Sequence, residues 1–273
     1  FVHAGALLVL LTGASATALW VAFALFVLRA FGLTAGYHRY FAHRSFRTSR
    51  AFQFALAWLG ASAAQLGPLW WAAHHRRHHR FADSEDDVHS PGLRGLLWAH
   101  IGWLLCRRYS ATDFGAIRDF ARYPELRWLD RFPIVPPLVL ALALYAAGEA
   151  LARSAPWLGT DGLQLLAWGF FASTVALYHT TFAVNSLGHR GTTSLNRAWL
   201  AALTLGDGWH ANHHRFPASA RHGFGAAQPD VTWLALRGLE GLGLVWELSA
   251  PPARVKQRTL ARAGRWQAGA GQS

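Results

Sequence analysis

Three histidine-rich segments carry the metal-binding potential of this sequence. They are His38-Arg39-Tyr40-Phe41-Ala42-His43, His75-Arg76-Arg77-His78-His79 and His210-Ala211-Asn212-His213-His214. Neutral imidazole is a good ligand for iron, copper, nickel or zinc. Cysteine cannot take this role, because the single Cys106 excludes an internal disulfide and any cysteine-rich zinc or iron–sulfur site. Any metal chemistry of the chain must therefore depend on histidine.

Helical spacing sorts the histidines of the second segment between two positions. Residues four apart share one face of a helix, whereas adjacent residues point about 100° apart. His75 and His79 can therefore bind the same metal, while His78 is turned toward a neighbouring one.

The third segment repeats this spacing, with His210 and His214 four apart and His213 turned aside. A fourth element ends an apolar stretch and places Asn185 and His189 at the same spacing. Nine of the 15 histidines fall in these four elements, which is more than a single ion can use. The pattern predicts two adjacent metals, and spacing alone leaves their identity open.

Six histidines lie outside these elements. A lone histidine is more often a hydrogen-bonding surface or core residue than a ligand, so no metal role is assigned to them. For His89 a second interpretation is open, in which it supports a ligand. The six are His3, His74, His89, His100, His179 and His222.

The chain that must position these segments is apolar, with 52% hydrophobic and only 15% charged residues. Its formal net charge is nevertheless +12, with 26 Lys and Arg against 14 Asp and Glu. The first 28 residues contain no charged side chain. This combination indicates a membrane protein with one basic face, and it argues against a nucleic-acid-binding protein.

Four apolar segments predict membrane spans. A full span needs about 20 apolar residues, so the first segment is interpreted as the end of a longer one. The spans are expected over about 1–11, 16–33, 134–152 and 162–187.

The uncharged stretch 51–73 is long enough to cross a membrane, but arginines flank it on both sides. Because the positive-inside rule puts both arginine groups in the cytoplasm, we expect an interfacial helix, or a segment that dips and returns. Every histidine motif then faces one side. The cytosolic cap would comprise 74–132 and 188–250, and the basic end 251–273 would be a flexible tail.

In this order, the motifs resemble those of the membrane fatty-acyl desaturases of the stearoyl-CoA Δ9 type, especially their bacterial members. The resemblance extends from about Gly32 to Val255. Its signatures are Gly36-Tyr37-His38-Arg39-Tyr40-Phe41-Ala42-His43-Arg44-Ser45-Phe46, Trp70-Trp71-Ala72-Ala73-His74-His75-Arg76-Arg77-His78-His79-Arg80, His100-Ile101-Gly102-Trp103, Asn185-Ser186-Leu187-Gly188-His189 and Gly206-Asp207-Gly208-Trp209-His210-Ala211-Asn212-His213-His214.

The resemblance implies an all-α integral membrane fold, in which four transmembrane helices carry a cytosolic helical cap that holds a di-iron centre. It implies a bacterial inner membrane, with the active site on the cytoplasmic side. One iron would be bound by His38, His43, His75, His79 and His213. The other would be bound by His78, His189, His210 and His214, with Asn185 bonded through a water.

The reaction that the resemblance implies is O₂-dependent introduction of a cis double bond, at the Δ9 position, into a saturated fatty-acyl chain. Trp71 and Trp103 are candidates for the wall of an apolar substrate tunnel. Arg107 and Arg108 align with a basic pair that contacts the CoA headgroup in animal relatives, although a cytosolic arginine pair is also a positive-inside signal. Ala73-His74 replaces an Arg-Asp pair of those relatives, which leaves acyl-lipid substrates open.

Two electrons per turnover must come from outside, because the sequence has no flavin, haem or nucleotide signature. The donor implied is an acidic protein, a ferredoxin or a cytochrome b5-like protein, with its reductase. It would be attracted to a basic face that comprises Arg76, Arg77, Arg80, Arg107 and Arg108.

Two rival interpretations use the same ligands. A di-iron membrane hydroxylase of alkyl or acyl chains would differ only in its product. A non-enzymatic metal-binding or metal-transport protein is disfavoured, because a transporter should place its polar ligands near the centre of its spans. Zinc could also occupy such imidazole sites as an artefact.

Overall fold

The computed structural model describes residues 1–82, 84–191 and 193–257. Beyond residue 257, the tail expected to be flexible lies outside the described residues. The described chain is mostly helical, so the helical fold class is confirmed. Strand structure in it is limited to two antiparallel pairs of two-residue strands, β1 (Arg47–Thr48) with β4 (Val245–Trp246), and β2 (His189–Arg190) with β3 (Thr193–Ser194).

In the described residues of the first half of the chain there are nine α-helices and three other helical segments. A π-helix, Gly32–Ala42, continues α3 without a break, and two 3₁₀ turns, Gly102–Leu105 and Arg107–Tyr109, follow α7. The α-helices are α1 (Val2–Ala6), α2 (Val9–Thr12), α3 (Ala16–Phe31), α4 (Arg50–Ala61), α5 (Pro68–Phe81), α6 (Pro91–Arg94), α7 (Leu96–His100), α8 (Arg118–Ala121) and α9 (Pro124–Arg131).

The second half is organised similarly. A 3₁₀ turn, Pro156–Leu158, follows α10, and a second π-helix, Leu166–Ala172, joins α11 to α12. The α-helices are α10 (Val135–Ser154), α11 (Gly162–Leu165), α12 (Ser173–Leu187), α13 (Ala198–Leu203), α14 (His210–Arg215) and α15 (Val231–Gly241).

Among the described residues, two helices are long and apolar enough to cross a membrane, Ala16–Ala42 and Val135–Ser154. The shorter apolar helix is Val2–Thr12. The segment Gly162–Leu187 is helical throughout and packs against α3 and α10. At Gly148 of α10, an added Cβ would lie 2.3 Å from the carbonyl oxygen of Asp161, so a side chain there would force the two helices apart.

Polar side chains join the turn between α2 and α3 to the turn between α10 and α11. Ser15 caps α3 by accepting the N–H of Ala18 at 3.1 Å, and its hydroxyl donates to Oε1 of Gln164 at 2.6 Å. Asp161 caps α11 by accepting the N–H of Gln164 at 2.7 Å. The caps therefore begin α3 and α11, and the bond between Ser15 and Gln164 joins the two N-termini.

The stretch 51–73 is not one helix, because the chain turns at 62–67 between α4 and α5. Ala64 and Leu66 have positive φ angles in this turn, and Pro68 begins α5. Tyr178 of α12 donates its hydroxyl to the Ala64 carbonyl at 2.8 Å, and Tyr37 donates to that of Leu66 at 2.9 Å. The turn therefore dips into the helical bundle, where these hydroxyls satisfy its carbonyls.

Arg29 holds the same turn from inside α3, although it is fully buried among apolar helices. Its guanidinium donates to Oγ1 of Thr174 at 2.7 Å, to Ser173 and, at 3.4 Å, to the carbonyl of Ser62. A buried charge is tolerated only where its donors are satisfied, as they are by these oxygens. Helix α4 packs against the π-helix Gly32–Ala42 and against α5, the two elements that carry the first and second histidine motifs.

Candidate metal centre

The first histidine motif lies at the end of the π-helix Gly32–Ala42. His38 and His43 are five residues apart, and in an α-helix they would point about 140° apart. The π-helix closes i→i+5 hydrogen bonds instead, and the N–H of His43 donates to the carbonyl of His38 at 3.2 Å. The two rings therefore lie on one side of the helix, with their centroids 5.1 Å apart.

The second motif lies on the last two turns of α5. Its first and last histidines, His75 and His79, share a face, and their ring centroids are 4.7 Å apart. His78 points to a different side and is fully buried. One helix thus supplies ligands in two directions, as the spacing of the motif predicts.

The third motif forms the short helix α14, and His189 comes from β2. A short helix needs other contacts to fix it, and Asn212 in its middle provides them. Its amide donates to the carbonyl of His222 at 2.8 Å and to Oε1 of Gln228 at 2.9 Å. Its oxygen accepts the side-chain amide of Asn196 at 2.8 Å. Fully buried, Asn212 anchors the helix that carries three histidines.

The histidines converge in two groups, in each of which one ring nitrogen of every member lies within 4.8 Å of the others. The first group has five members, His38, His43, His75, His79 and His213. Three of its Nε2–Nε2 distances are 3.0 Å for His38 and His213, 2.8 Å for His213 and His79, and 2.9 Å for His75 and His43. Each group member therefore directs its Nε2 atom at one shared point.

The second group has four members, His78, His189, His210 and His214. Its Nε2–Nε2 distances are 2.9 Å for His210 and His189, 3.0 Å for His214 and His210, and 3.3 Å for His78 and His214. The two groups adjoin, because the rings of His79 and His214 stack with their centroids 4.4 Å apart. The memberships of the two groups are those that the family resemblance implies; binding of iron by them stays a prediction.

Buried carboxylates hold one histidine of each group. His38 Nδ1 lies 2.7 Å from Oδ2 of Asp207, and His78 Nδ1 lies 2.8 Å from Oδ1 of Asp87. A carboxylate accepts the Nδ1 proton, which leaves the Nε2 lone pair free to face the centre of the group. This is the tautomer that a metal ligand requires.

Asp207 is itself fixed by a buried ion-pair network. Arg39, fully buried, donates to Oδ1 of Asp207 at 3.0 Å and pairs with Asp230 at 3.0 Å. Gly206 makes this packing possible with a φ of 121°, since an added Cβ would lie 2.4 Å from Oδ1 of Asp230. The glycine before Asp207 therefore lets the two carboxylates approach the same guanidinium.

Burial keeps the imidazoles neutral. It lowers the pKa of His213 and of His210 well below the ordinary histidine value, and neighbouring histidines, His38 and His214 respectively, add to the effect. Burial and His78 together lower the pKa of His214 to about 2 and that of His189 to about 4. Neutral rings with free lone pairs are the metal-binding form of histidine.

A cavity of about 410 Å³ reaches the first group at His75. It is walled mainly by apolar and aromatic side chains from α1, the turn at 62–67, α5, the 3₁₀ turn at 102–105 and α12. Trp71 and Trp103 both line it, and Trp71 stacks on His75 with the ring centroids 5.0 Å apart. Asn185 lines the same cavity, on α12. Arg107 and Arg108 are exposed and are not among the residues of its wall.

Sequence comparison agrees with this site. The family model of the fatty acid desaturases matches residues 14–239, which include all nine grouped histidines. The chain belongs to the fatty acid desaturase family. The recognition of this family from the histidine motifs, and of a fatty-acyl desaturase enzyme, is thereby confirmed.

The relatives of this desaturase differ in the substrates for which they are named. The chloroplastic palmitoyl-monogalactosyldiacylglycerol delta-7 desaturase of Arabidopsis thaliana is 36% identical over 87% of this chain, which spans 64% of that relative's length. The sn-1 stearoyl-lipid 9-desaturase of Anabaena variabilis is 36% identical, over 78% of this chain and 76% of its own. The acyl-CoA 5-desaturase of Anemone leveillei is 35% identical, over 89% and 75%.

Three histidines of the desaturase that were assigned no metal role form a chain of their own. His3 Nε2 lies 3.0 Å from His179 Nε2, and His179 Nδ1 lies 3.0 Å from His100 Nε2. His100 Nδ1 lies 2.9 Å from the hydroxyl of Ser186. His179 and His100 use both ring nitrogens in this chain, so neither has a lone pair that converges with the others on one point.

Sequence reasoning missed the residues that position the ligands. Asp207 and Asn212 lie inside the fifth quoted signature, and Asp87 lies two residues before His89, yet the sequence analysis assigns no role to them. Their position within a signature or close to a histidine is the available signal. His89 lies beside Asp87, which accepts its N–H at 3.2 Å, and its ring stacks on His78 with the centroids 4.2 Å apart. This contact favours the interpretation in which His89 supports a ligand.

Proposed function

We propose that this chain uses O₂ to introduce a cis double bond, at the Δ9 position, into a saturated fatty-acyl chain. The observation that carries the proposal is the convergence of nine imidazoles in two adjoining groups at the side of an aromatic-walled cavity. The Δ9 position is supported by two cyanobacterial relatives that are named 9-desaturases of lipids.

The donor set fits two irons. Five imidazoles in the first group exceed the four ligands that structural zinc usually takes, and imidazole suits iron. Asp207 directs both carboxylate oxygens at other side chains, which supports an all-nitrogen first site. His38, His43, His75, His79 and His213 would hold one iron. His78, His189, His210 and His214 would hold the other, with Asn185 bonded through a water.

The protein's own task is to position the chain and to exclude water. When bound, the irons supply the O₂ chemistry that breaks unactivated C–H bonds. The C–H bonds of an unactivated methylene are too weakly acidic for a side-chain base to remove a proton, so a general base would not help this reaction. Trp71 lines the cavity and stacks on His75, where it would hold the acyl methylenes against the first group.

The headgroup of the substrate is either CoA or a lipid. Relatives of both kinds are similar to this chain at 32–36% identity, so similarity does not choose between them. Arg107 and Arg108 are exposed beside Leu105 and Cys106, and Leu105 lines the cavity. They are proposed to contact an anionic headgroup at this end, since guanidinium binds phosphate through a bidentate fork.

We also propose that the protein is embedded by four spans in a bacterial inner membrane, with its histidine groups facing the cytoplasm. The arginines that follow the histidine motifs support this orientation through the positive-inside rule.

Fatty-acid analysis of expressing cells tests the proposal. Cells with the parent chain and a competent electron donor should accumulate new cis-monounsaturated acids with the double bond at carbon 9, and cells with His78→Ala should not. Hydroxy acids would identify a di-iron hydroxylase instead. No new product from an iron-loaded parent would contradict an acyl substrate.

A further inference from the structure

A second cavity, of about 600 Å³, shares no wall residue with the cavity of about 410 Å³ that reaches the first histidine group. It lies between the turn that follows the first histidine motif, the segment from α8 to the start of α9, and strand β4. Three arginines line it, Arg44, Arg47 and Arg122, together with the carboxylates of Asp119 and Glu247. We call it the arginine pocket.

The carboxylates of the arginine pocket do not neutralise its cations. Asp119 accepts the guanidinium of Arg76 with both oxygens, at 2.9 Å each, so Arg44 at 3.3 Å is its third and most distant partner. Arg122 donates to the hydroxyl of Tyr123 at 2.9 Å. Among the described residues, no carboxylate lies within 4.0 Å of Arg122. The pocket therefore has more positive than negative charge.

The remaining arginine, Arg47, is held only by an exposed ion pair. Its Nε lies 2.9 Å from Glu247, and the two side chains are 68% and 59% exposed. Such a pair contributes little to stability, so an incoming anion competes with Glu247 at little cost.

The backbone of the arginine pocket is strained at two positions. Arg44 and Glu247 have φ angles of 51° and 52°, in the left-handed region that residues other than glycine rarely adopt. Strain of this kind concentrates at ligand-binding and active sites. Two separate segments thus take up an unfavourable conformation where they meet at this pocket.

Exposed apolar side chains border the arginine pocket. Thr48 in its wall donates its hydroxyl to the carbonyl of Leu244 at 2.7 Å, beside the pairing of β1 with β4. On that segment Leu242, Leu244 and Trp246 are 74%, 39% and 41% exposed, and we call them the apolar strip. Trp246 also lines the pocket. Tryptophan is enriched where an apolar and a polar environment meet at a membrane.

The arginine pocket lies close to segments that approach the proposed spans. Helix α4, which leads to the turn inside the bundle, begins two residues after Thr48. Helix α9 begins directly after Tyr123, and α10, which is long and apolar enough to cross a membrane, follows it. With the spans placed as proposed, lipid headgroups lie near this level of the protein, and anionic ones are attracted to its arginines.

We propose that the arginine pocket binds the headgroup of one anionic phospholipid, with its phosphate between Arg44 and Arg122 and its acyl chains along the apolar strip. Guanidinium groups bind phosphate through charge-assisted, bidentate hydrogen bonds. This lipid is distinct from the substrate, because the pocket shares no wall residue with the cavity beside the histidines. The inference rests on the proposed membrane orientation and does not depend on the desaturation reaction.

Lipid binding is measured on the iron-free chain in detergent, where no turnover is needed. The probes are phosphatidylglycerol, which is anionic, and phosphatidylcholine, which is zwitterionic, both with oleoyl chains. Native mass spectrometry counts the lipids bound per protein during a titration. The parent should bind one phosphatidylglycerol about 10-fold more tightly than phosphatidylcholine.

The pocket variant removes the three cations together. Its Kd for phosphatidylglycerol should rise by about 10-fold or more, while its Kd for phosphatidylcholine stays within about twofold of the parent value. The changes are Arg44→Gln, Arg47→Gln and Arg122→Gln. If this variant folds poorly, Arg122→Gln alone breaks no ion pair of the described residues and should still show part of the loss.

A matched control removes the same charge from exposed arginines of α8 and α9 that do not line the pocket. It should leave the Kd for phosphatidylglycerol within about twofold of the parent value, since long-range attraction alone is weak at moderate salt. The control changes are Arg118→Gln, Arg127→Gln and Arg131→Gln.

Thermal unfolding separates a bound lipid from a free phosphate. Phosphatidylglycerol should raise the unfolding midpoint of the parent but not that of the pocket variant, because a ligand stabilises the state to which it binds. Inorganic phosphate and glycerol 3-phosphate, at the same concentration and ionic strength, should leave the parent midpoint unchanged. Leu242→Gln in the apolar strip should weaken binding of phosphatidylglycerol.

Each contrary result overturns a definite part of the proposal. An equal shift with inorganic phosphate would replace the lipid by a free phosphate ligand. Equal affinity for phosphatidylglycerol in the parent and the pocket variant would show that the pocket is not the site. Equal losses in the pocket variant and the control would reduce the effect to net charge. Because no readout uses product formation, failure of the desaturase proposal would leave these results unchanged.

Discussion

The desaturase contains two kinds of histidine assembly within one bundle. In the two groups, each ring aims a nitrogen at a shared point, as the Nε2 atoms of His38 and His213 do at 3.0 Å. In the chain His3–His179–His100, each ring passes a hydrogen bond to the next, and His179 uses both of its nitrogens. The same side chain is thus arranged once to leave lone pairs free and once to use them up.

One difference between the assemblies lies in what holds the Nδ1 atoms of His38 and His78. Asp207 and Asp87 hold the Nδ1 atoms of His38 and His78, so the Nε2 lone pairs are available at the centre of each group. In the chain, Nδ1 of His100 is held by Ser186, while its Nε2 faces another ring. Convergence together with a fixed tautomer favours metal binding, whereas proximity alone does not.

The largest expected effect comes from removing one convergent ring. His78→Ala should abolish desaturation and lower bound iron, because it deletes a ligand of the second group and removes the ring that the buried Asp87 holds. His189→Ala and His214→Ala should do the same. Iron per protein and fatty-acid product are measured on membrane-inserted protein. Full activity in all three variants would contradict a di-iron site at these groups.

A smaller effect is expected when the ring stays but its support changes. Asp87→Asn keeps an acceptor for His78 Nδ1 but loses the charge that fixes the tautomer, so iron affinity or activity should fall by about 10- to 100-fold. Iron affinity is measured by competition with a chelator, and folding by thermal unfolding. The matched control is Asp86→Asn, whose side chain is 60% exposed and should change neither.

Restoring the carboxylate tests whether the negative charge of Asp87 holds His78. Asp87→Glu should recover part of the lost affinity, because it restores the charge at a slightly different reach. Equal losses in Asp87→Asn and Asp86→Asn would show that the carboxylate has no special role in holding His78.

These features differ in how far the sequence could predict them. On α5 and α14, helical periodicity alone predicts that His78 and His213 point away from the neighbouring histidines of their motifs. The prediction succeeds because both segments are regular α-helices. The alignment of His38 with His43 depends on a π-helix, which residue spacing alone does not indicate. The dip at 62–67 depends on hydroxyls from Tyr37 and Tyr178, which approach from distant parts of the chain. Such long-range partners leave no local pattern.

Acid should destabilise the two histidine groups. Burial lowers the pKa of His189 to about 4 and that of His214 to about 2, whereas the unfolded chain has the ordinary value near 6.5. Below that value the unfolded state takes up protons that the folded state does not, so stability is lost as pH falls. Between pH 7.5 and 5.5, His189 alone should account for roughly 1 kcal/mol.

The measurement is the thermal unfolding midpoint of the iron-free protein in detergent at the two pH values. A lower midpoint at pH 5.5 is expected, and the part of the difference that belongs to one histidine should vanish in His189→Gln, because the other grouped histidines keep their lowered pKa. An unchanged or higher midpoint at pH 5.5 would contradict neutral, buried imidazoles in the groups.

The smallest effect should follow from breaking the histidine chain. His179→Leu removes hydrogen bonds that link α1, α7 and α12, so stability should fall by about 1 kcal/mol, while iron content stays at the parent level and activity within about twofold. His179→Gln keeps one donor and one acceptor and should recover part of the stability. Loss of iron in His179→Leu would show that the chain and the groups are coupled, and α12, which ends at Leu187 just before His189, is one path for such coupling.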